Sequence, residues 1–346
     1  MTKRSFCKLA VFSSAIVAIR SRTSLRAADQ AKVDGKNIRL EFDSKMHSRA
    51  IARFDGKEIV LGPFTASETV TIDGAEVTDF ALSGSKQANV HDPLGAGKQT
   101  TLTGTAGTVQ KTVVVTVYDR FPQMAFFNVK YTNKGSADVR VTGWSNNRYS
   151  ISAREGDAAP AFWSYESGSY EKRPDWVVPL KVNFKQENYL GMNDTDYGGG
   201  TPIVDVWRKD VGLGVGLLEA KPRLISLPVS MPNMNQARVA VQYKRDLEIL
   251  PGESIHTYRS FVAVHDGDYF RTLLAFRKLM SKQGFQMASA PADARSGAAG
   301  TPRAPRRRRP GLALAAGGVR AGASRRLGAR RGCGAARALA GAEPGG

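Results

Sequence analysis

The sequence predicts an all-β fold, a large antiparallel β-sandwich followed by one C-terminal helix and a disordered tail. From about residue 37, short runs alternate apolar and polar residues, as in KTVVVTVYD, where Val113, Val115 and Val117 share one face with Lys111. Turn signals such as Asp-Gly separate these runs at intervals of roughly 8 to 12 residues, which is typical of antiparallel sheets. A single amphipathic helical pattern follows, and the composition of the last 52 residues predicts disorder.

The first segment, residues 1–27, has the pattern of an export signal. The basic stretch TKRSFCK precedes the apolar run LAVFSSAIVAI, and the small residues Ala27 and Ala28 follow. The run is too short for a bilayer, which needs about 20 apolar residues. TKRSFCK resembles the twin-arginine export motif, with Lys3 in place of the first Arg and Cys7 in place of Leu. We therefore expect a periplasmic or extracellular protein with no membrane contact after signal removal; a frayed basic N-terminus is the alternative.

Residues 28–265 are predicted to form the sandwich domain, because strands with one apolar face bury it against a second sheet. Residues 145–200 depart from the alternation and are rich in Gly, Pro and aromatic residues. Such a region is either a binding-loop system held by the scaffold or aromatic packing over a sandwich edge. Its aromatic residues include Trp163, Tyr165, Tyr170, Trp176, Tyr189 and Tyr197.

The helical pattern covers 266–284, DGDYFRTLLAFRKLMSKQG. Asp266 or Asp268 is the expected N-cap, and Gly284 is expected to take the left-handed conformation that ends helices. Four apolar residues fall on one stripe of this helix, Phe270, Leu273, Leu274 and Met280.

Residues 285–346 are predicted to be a linker and a disordered tail. Residues 295–346 hold 12 Arg, no Lys and one acidic residue, and thus contribute +11 of the chain's net charge of +19. Ala, Gly, Arg and Pro, the residues with G/C-only first and second codon positions, account for 42 of these 52 residues. We interpret the tail as out-of-frame translation of a GC-rich gene. A basic arm that binds nucleic acid is the alternative, but phosphate neutralisation would tolerate Lys as well as Arg, so we expect no nucleic-acid partner.

Several chemistries have no support in the sequence. The two cysteines, Cys7 and Cys333, lie in the leader and the tail, so the sandwich has no thiolate for catalysis or metal binding. No G-x-S-x-G motif occurs, and no cofactor is expected. The four histidines show no ligand spacing and are interpreted as surface or strand residues, which predicts no metal site. In GLGVG, at 212–216, alternating glycines predict close packing of another chain segment.

One stretch, YLGMNDTDYGGGTPIVDVWRKDVGLGVG, has the composition of a sugar site. Carboxylates and amides can fix hydroxyl groups, and an aromatic ring can cover the apolar face of a sugar. Here Asp194, Asp196 and Tyr197 lie beside three glycines, and Trp207 follows on the next strand. The alternative is an Asp/Gly-rich turn with Trp207 in the core.

The same stretch, followed by PGESIHTYRSFVAVHDGDYFRTLLAFRKLM, resembles the N-terminal part of bacterial alpha-galactosidase (melibiase) type glycoside hydrolases. The resemblance covers about 35–285 and is most specific at 189–280. It implies a sandwich that leads into a (β/α)8 barrel. It also implies a retaining mechanism, in which a nucleophilic carboxylate and an acid/base carboxylate lie about 5 to 5.5 Å apart on the barrel. By the same resemblance, the residues expected to contact a carbohydrate such as an alpha-galactoside are Asn193, Asp194, Asp196, Tyr197 and Trp207.

The chain departs from this family after Ala294, where the tail stands in place of a barrel of about 250 residues. A frame error at this point would explain both observations. We therefore expect no catalytic residue in this chain and no activity of the chain alone. The surface that would dock on the barrel would be exposed, so we also expect self-association into a homo-oligomer. A stand-alone carbohydrate-binding or structural sandwich is the alternative.

Overall fold

Strands dominate the structure, a computed structural model that describes residues 30–167, 176–190, 201–219, 221 and 223–285. The predicted leader and tail lie outside these residues. The elements of the described part are β1 (Gln30–Asp34), β2 (Ile38–Asp43), β3 (Ser48–Phe54), β4 (Lys57–Val60), β5 (Thr69–Ile72), β6 (Ala75–Val77), β7 (Ala81–Asp92), β8 (Gly95–Ala106), β9 (Val109–Tyr118), β10 (Met124–Asn133), β11 (Val139–Ser152), β12 (Trp163–Tyr165), β13 (Val177–Pro179), β14 (Phe184–Gln186), β15 (Tyr189–Leu190), β16 (Ile203–Trp207), β17 (Gly212–Leu217), β18 (Ile225–Ser226), β19 (Val229–Asn233), β20 (Gln236–Tyr243), β21 (Leu247–Ile249), β22 (Ser254–His256), β23 (Ser260–His265) and α1 (Phe270–Lys282).

The strands form three sheets, and the named strands pair antiparallel. The four-stranded sheet has the order β1-β2-β3-β4. The ten-stranded sheet has the order β13-β12-β16-β17-β23-β10-β9-β8-β7, with β22 also paired to β10. The nine-stranded sheet has the order β14-β19-β20-β11-β5-β6, with β18 and β21 beside β20 and β11, and β15 beside β18. The predicted all-β class is therefore confirmed.

The three sheets share one hydrophobic core. The face predicted from KTVVVTVYD is buried, since Val113, Val115 and Val117 all lie in this core. Each such side chain contributes roughly 1.5 to 3 kcal/mol when fully buried. Lys111, of the same parity, is fully buried as well; its Nζ donates to the Glu68 carbonyl oxygen at 2.9 Å and lies 4.4 Å from the centre of the Phe80 ring. Its hydrogen bond and ring contact offset part of the cost of burying the cation.

A second core lies on the outer face of the ten-stranded sheet, where α1 packs. The helix contributes Ala275, Phe276 and Leu279 to this core, and β23 contributes Phe261 and Ala263. No helix in the described part of the chain is long and apolar enough to cross a membrane.

The face of α1 that packs on the sheet overlaps in part with the predicted stripe, since Leu273 and Met280 pack against this core as partly buried residues. Phe270 and Leu274 are 56% and 52% exposed, and the buried residues are Thr272, Ala275, Phe276 and Leu279. The reason is that apolar residues occur on several sides of this helix, and the sheet accepts the side where Phe276 stacks on Phe261.

The ends of α1 match the sequence in one respect and differ in the other. The N-cap is Tyr269, rather than Asp266 or Asp268, although Asp268 Oδ1 accepts the Phe270 N–H at 3.1 Å. Gly284 has a φ of +90°, as predicted for the residue that ends the helix.

Candidate carbohydrate-contact site

Four of the five predicted sugar-contact residues precede β16 in the sequence, and the fifth, Trp207, lies in this strand. Asn193, Asp194, Asp196 and Tyr197 lie outside the described residues. Trp207 ends β16, and its side chain is 8% exposed. The structure therefore locates one of the five residues.

Trp207 belongs to an aromatic cluster on the outer face of the ten-stranded sheet. Trp163 of β12 lies directly opposite it in the strand register. The Tyr269 ring, at the start of α1, lies 5.5 Å from that of Trp207 and stacks on Tyr165 with centroids 4.9 Å apart. Trp207 is thus covered, while Tyr165 and Tyr269 are partly exposed. Trp163 is also partly exposed, and the exposed Phe270 ring stacks on Tyr269 with centroids 4.3 Å apart. The rings of this face that a ligand can reach therefore include Tyr165 and Tyr269.

The cluster is tied to the chain that carries the other predicted residues. The hydroxyl groups of Tyr165 and Thr201 lie 2.8 Å apart, within hydrogen-bond distance. Thr201 is the first described residue after 191–200. Thr201 is therefore held beside the aromatic rings.

Beside the aromatic cluster, three buried polar residues join the helix to the sheet. Asp205 Oδ1 lies 2.9 Å from His265 Nε2, and Thr272 Oγ1 donates to Asp205 Oδ2 at 2.6 Å. Asp205 is fully buried, and His265 and Thr272 are 3% and 1% exposed. Burial alone would lower the pKa of His265, but the charge and hydrogen bond of Asp205 outweigh this effect and raise it. The charged histidine is therefore favoured, and we call these three residues the helix anchor.

The glycines of β17 make room for the helix anchor. A Cβ on Gly212 would lie 2.1 Å from the His265 ring, and one on Gly214 would lie 2.6 Å from both Asp205 Oδ2 and Thr272 Cγ2. The prediction that the alternating glycines allow close packing of another segment is confirmed. The interpretation of His265 as a strand histidine is also confirmed, because it ends β23.

A second buried carboxylate belongs to Glu166, which directly follows Tyr165 in the sequence. Glu166 is 1% exposed and accepts hydrogen bonds from the Ser164 hydroxyl and the Asn188 amide. Both Glu166 and Asp205 are therefore enclosed by protein donors, which suits a structural role. In the described ranges, no group of three or more His, Cys, Asp or Glu side chains could hold a metal ion.

Sequence reasoning missed Tyr269 and Asp205. The sequence DGDYF placed Tyr269 at the helix start, next to the predicted caps, but nothing indicated its partner 104 residues earlier, Tyr165. Asp205 lies in the alternating run IVDVW, where a polar residue is expected to face solvent.

The fold and this site define a β-sandwich that carries a helix and a partly exposed aromatic pair on one outer face. No family model matches the chain. The chain is 24% identical over 291 residues to "A type blood alpha-D-galactosamine galactosaminidase" of Flavonifractor plautii, a match that covers 82% of this chain and 26% of the relative.

One solved structure shows a similar fold, and another is a weaker match. The alpha-galactosidase of Lactobacillus brevis matches with a TM-score of 0.53 at 7% identity, over 73% of this chain and 42% of that chain. The alpha-N-acetylgalactosaminidase of Bifidobacterium bifidum matches with a TM-score of 0.46 at 12% identity, over 73% and 39%. The predicted resemblance to alpha-galactosidase type glycoside hydrolases is confirmed. The chain spans about a quarter of the curated relative and about two fifths of the solved chains.

Proposed function

We propose that this chain is the β-sandwich part of an exported alpha-galactosidase-like glycoside hydrolase, and that the sandwich has no hydrolytic activity by itself. The match to the galactosaminidase over 291 residues carries this proposal. The sandwich topology and the terminal helix are consistent with it. The export-signal pattern predicted at 1–27 supports a location in the periplasm or outside the cell.

The partial exposure of its rings supports a role for the aromatic cluster in sugar contact. Tyr165 and Tyr269 offer ring surface to a sugar, while Trp207 supports them from the sheet. We propose that Asn193, Asp194, Asp196 and Tyr197 fix the sugar hydroxyl groups beside these rings. In this arrangement the sandwich orients an alpha-galactoside and performs no bond cleavage.

The outward side of α1 supports an association role. Phe270 and Leu274 are one helical turn apart and more than half exposed. Exposed apolar pairs of this kind often lie in protein interfaces. We propose that this side of the helix docks on the barrel and drives self-association when the barrel is absent.

Activity and binding measurements on the purified chain test the proposal. We expect no release of nitrophenol from p-nitrophenyl alpha-galactoside or alpha-N-acetylgalactosaminide, and weak binding of raffinose by saturation-transfer NMR. Tyr269→Ala should weaken binding by roughly 2- to 10-fold, since aromatic contacts contribute about 0.5 to 1.5 kcal/mol, and Tyr269→Phe should retain it. Hydrolysis by the chain, or no raffinose contact at all, would contradict the proposal.

The gene offers an independent test. Reading the nucleotide sequence downstream of the Ala294 codon in the other two frames should reveal a barrel-coding sequence. Its absence would favour the alternative, a stand-alone carbohydrate-binding sandwich.

A further inference from the structure

A groove with charged residues at its rim crosses the outer face of the nine-stranded sheet, away from the aromatic cluster. Its volume is about 690 Å³, within the range of ligand pockets. The floor is lined by residues with short side chains or none, Gly143, Ser145, Ser230 and Ala240, and longer side chains form the rim. The groove therefore results from side-chain size along neighbouring strands.

A β-bulge lies at the rim of the groove. The pairing of β11 with β20 shifts between Asn146 and Tyr149, and Asn147 takes a positive φ of 51°. Bulges of this kind redirect a side chain and occur often beside binding sites. Here the bulge faces Ala240, and the redirected side chain is Arg148, which forms a salt bridge with Glu76.

The rim carries more positive than negative charge. Its cations are Arg148, Arg238, Lys185 and Lys244, against the carboxylates of Glu76 and Glu187. Lys185 and Lys244 both lie near Glu187, at 3.3 and 3.7 Å. Arg238 hydrogen-bonds the side-chain carbonyl of Gln236 and has no salt bridge to any residue in the described part of the chain. Its charge is available to a ligand.

The register places Arg238 beside a second cation. Ser230 of β19 pairs with Arg238 on one side and with Lys185 on the other, so the two cations flank a serine in one cross-strand row. Two cations with a hydroxyl group between them suit one anionic group. On the floor, Ser145 is 3% exposed and its hydroxyl has no hydrogen-bond partner among the described residues.

A smaller apolar cavity of about 170 Å³ continues the groove and shares Gln242 and Lys244 with it. Tyr189, Leu224 and Ile225 line this cavity. A half-buried tyrosine and two apolar side chains provide the surface that the apolar face of a sugar ring requires. The combined groove therefore offers cations along its length, including Lys244 and Arg245, and an aromatic surface at Tyr189.

We propose that this groove binds a saccharide that carries an anionic group, either a sulfate ester or a carboxylate. The anion would lie between Arg238 and Lys185, and the sugar ring would extend toward Tyr189. This inference rests on the proposed role of the chain in carbohydrate processing, but it concerns a second site, remote from the aromatic cluster.

NMR titration of the isotope-labelled full chain tests the groove. The probes are galactose 6-sulfate, galacturonate, neutral galactose and inorganic sulfate, and the readout is the backbone amide shifts of Ser145 and Ala240. We expect one or both anionic sugars to shift these amides at millimolar concentration, and which of them does so identifies the anionic group. Arg238→Ala should weaken binding about tenfold. Arg140→Ala is the matched control, because Arg140 lies on the same sheet outside the groove lining and pairs with Asp246.

Three results would overturn the inference. Equal amide shifts with neutral galactose would show that the charge of the ligand does not contribute to binding. Equal affinity for inorganic sulfate would show that the sugar does not contribute. No shift with any probe would exclude the site. The proposed function is tested with neutral alpha-galactosides, which are expected to bind at Tyr165 and Tyr269. A negative result for one site therefore leaves the test of the other site unaffected. Arg238 is exposed, so the variant is expected to fold, and its amide spectrum will verify this.

Discussion

Replacing Gly214 with alanine should strongly destabilise the protein. Gly214 has an ordinary negative-φ strand backbone, so alanine is compatible with its conformation. The added Cβ, however, would lie 2.6 Å from Asp205 Oδ2, 2.6 Å from Thr272 Cγ2 and 2.8 Å from Thr272 Oγ1. All three atoms belong to buried residues of the helix anchor, so α1 must move or the anchor must break.

The expected loss can be built from three contributions. Overpacking of a closely packed site costs about 1 to 3 kcal/mol. Loss of the hydrogen bond from Thr272 to the Asp205 carboxylate costs roughly 1.5 to 3 kcal/mol, the usual range for bonds to charged groups. The reduced freedom of the unfolded chain returns about 0.4 to 1 kcal/mol. The free energy of unfolding should therefore fall by about 2 to 5 kcal/mol.

Urea denaturation followed by circular dichroism measures this loss. Gly84→Ala is the matched control, because Gly84 also lies in a strand of the ten-stranded sheet and a Cβ there meets no atom within 4 Å. Gly84→Ala should change the free energy of unfolding by less than about 0.5 kcal/mol. If Gly214→Ala is as stable as Gly84→Ala, the close approach of helix and sheet described above is wrong.

Three further predictions concern α1 and the buried charges. Leu279→Ala should cost about 2 to 5 kcal/mol in urea denaturation and Leu274→Ala less than about 0.5, because the first is buried and the second half exposed. The raised pKa of His265 stabilises the fold below its unfolded value of about 6.5, and this contribution should be lost as pH rises through the folded pKa; His265→Gln should abolish the trend. Burial lowers the pKa of Lys111 to about 8, so the free energy of unfolding should rise between about pH 8 and 10.5 in the native chain and not in Lys111→Met.

Much of the fold follows from local patterns. Alternation in KTVVVTVYD correctly predicted a strand with a buried valine face, because a strand side chain has only two directions to choose from. The side chains of a helix point in many directions around its axis, so an apolar pattern can fit more than one buried face. The sequence FRTLLAFRKLM contains apolar residues on more than one side, so periodicity alone selected Phe270 and Leu274, whereas the sheet accepts Ala275 and Leu279.

The site was less predictable because its contacts are distant in sequence. The glycines of GLGVG signalled close packing without revealing what packs against them. His265 and Asp205 are 60 residues apart, and no local pattern indicates that two such residues form a buried pair. Tyr165 and Tyr269 are separated by 104 residues and meet through the strand order β12-β16-β17-β23, which a single sequence does not specify.

The helix anchor and the aromatic cluster both depend on the position of α1 relative to β16. Asp205 and Trp207 lie on the same face of β16, while Thr272 and Tyr269 lie in or beside the first turn of α1. A shift of the helix that breaks the Thr272–Asp205 hydrogen bond therefore also moves Tyr269 away from Tyr165. Sugar contact and helix anchoring should then weaken together in any variant that displaces α1. A loss of sugar contact can be assigned to the Tyr269 ring itself only where stability is retained, and Tyr269→Ala with an unchanged free energy of unfolding would separate the two effects.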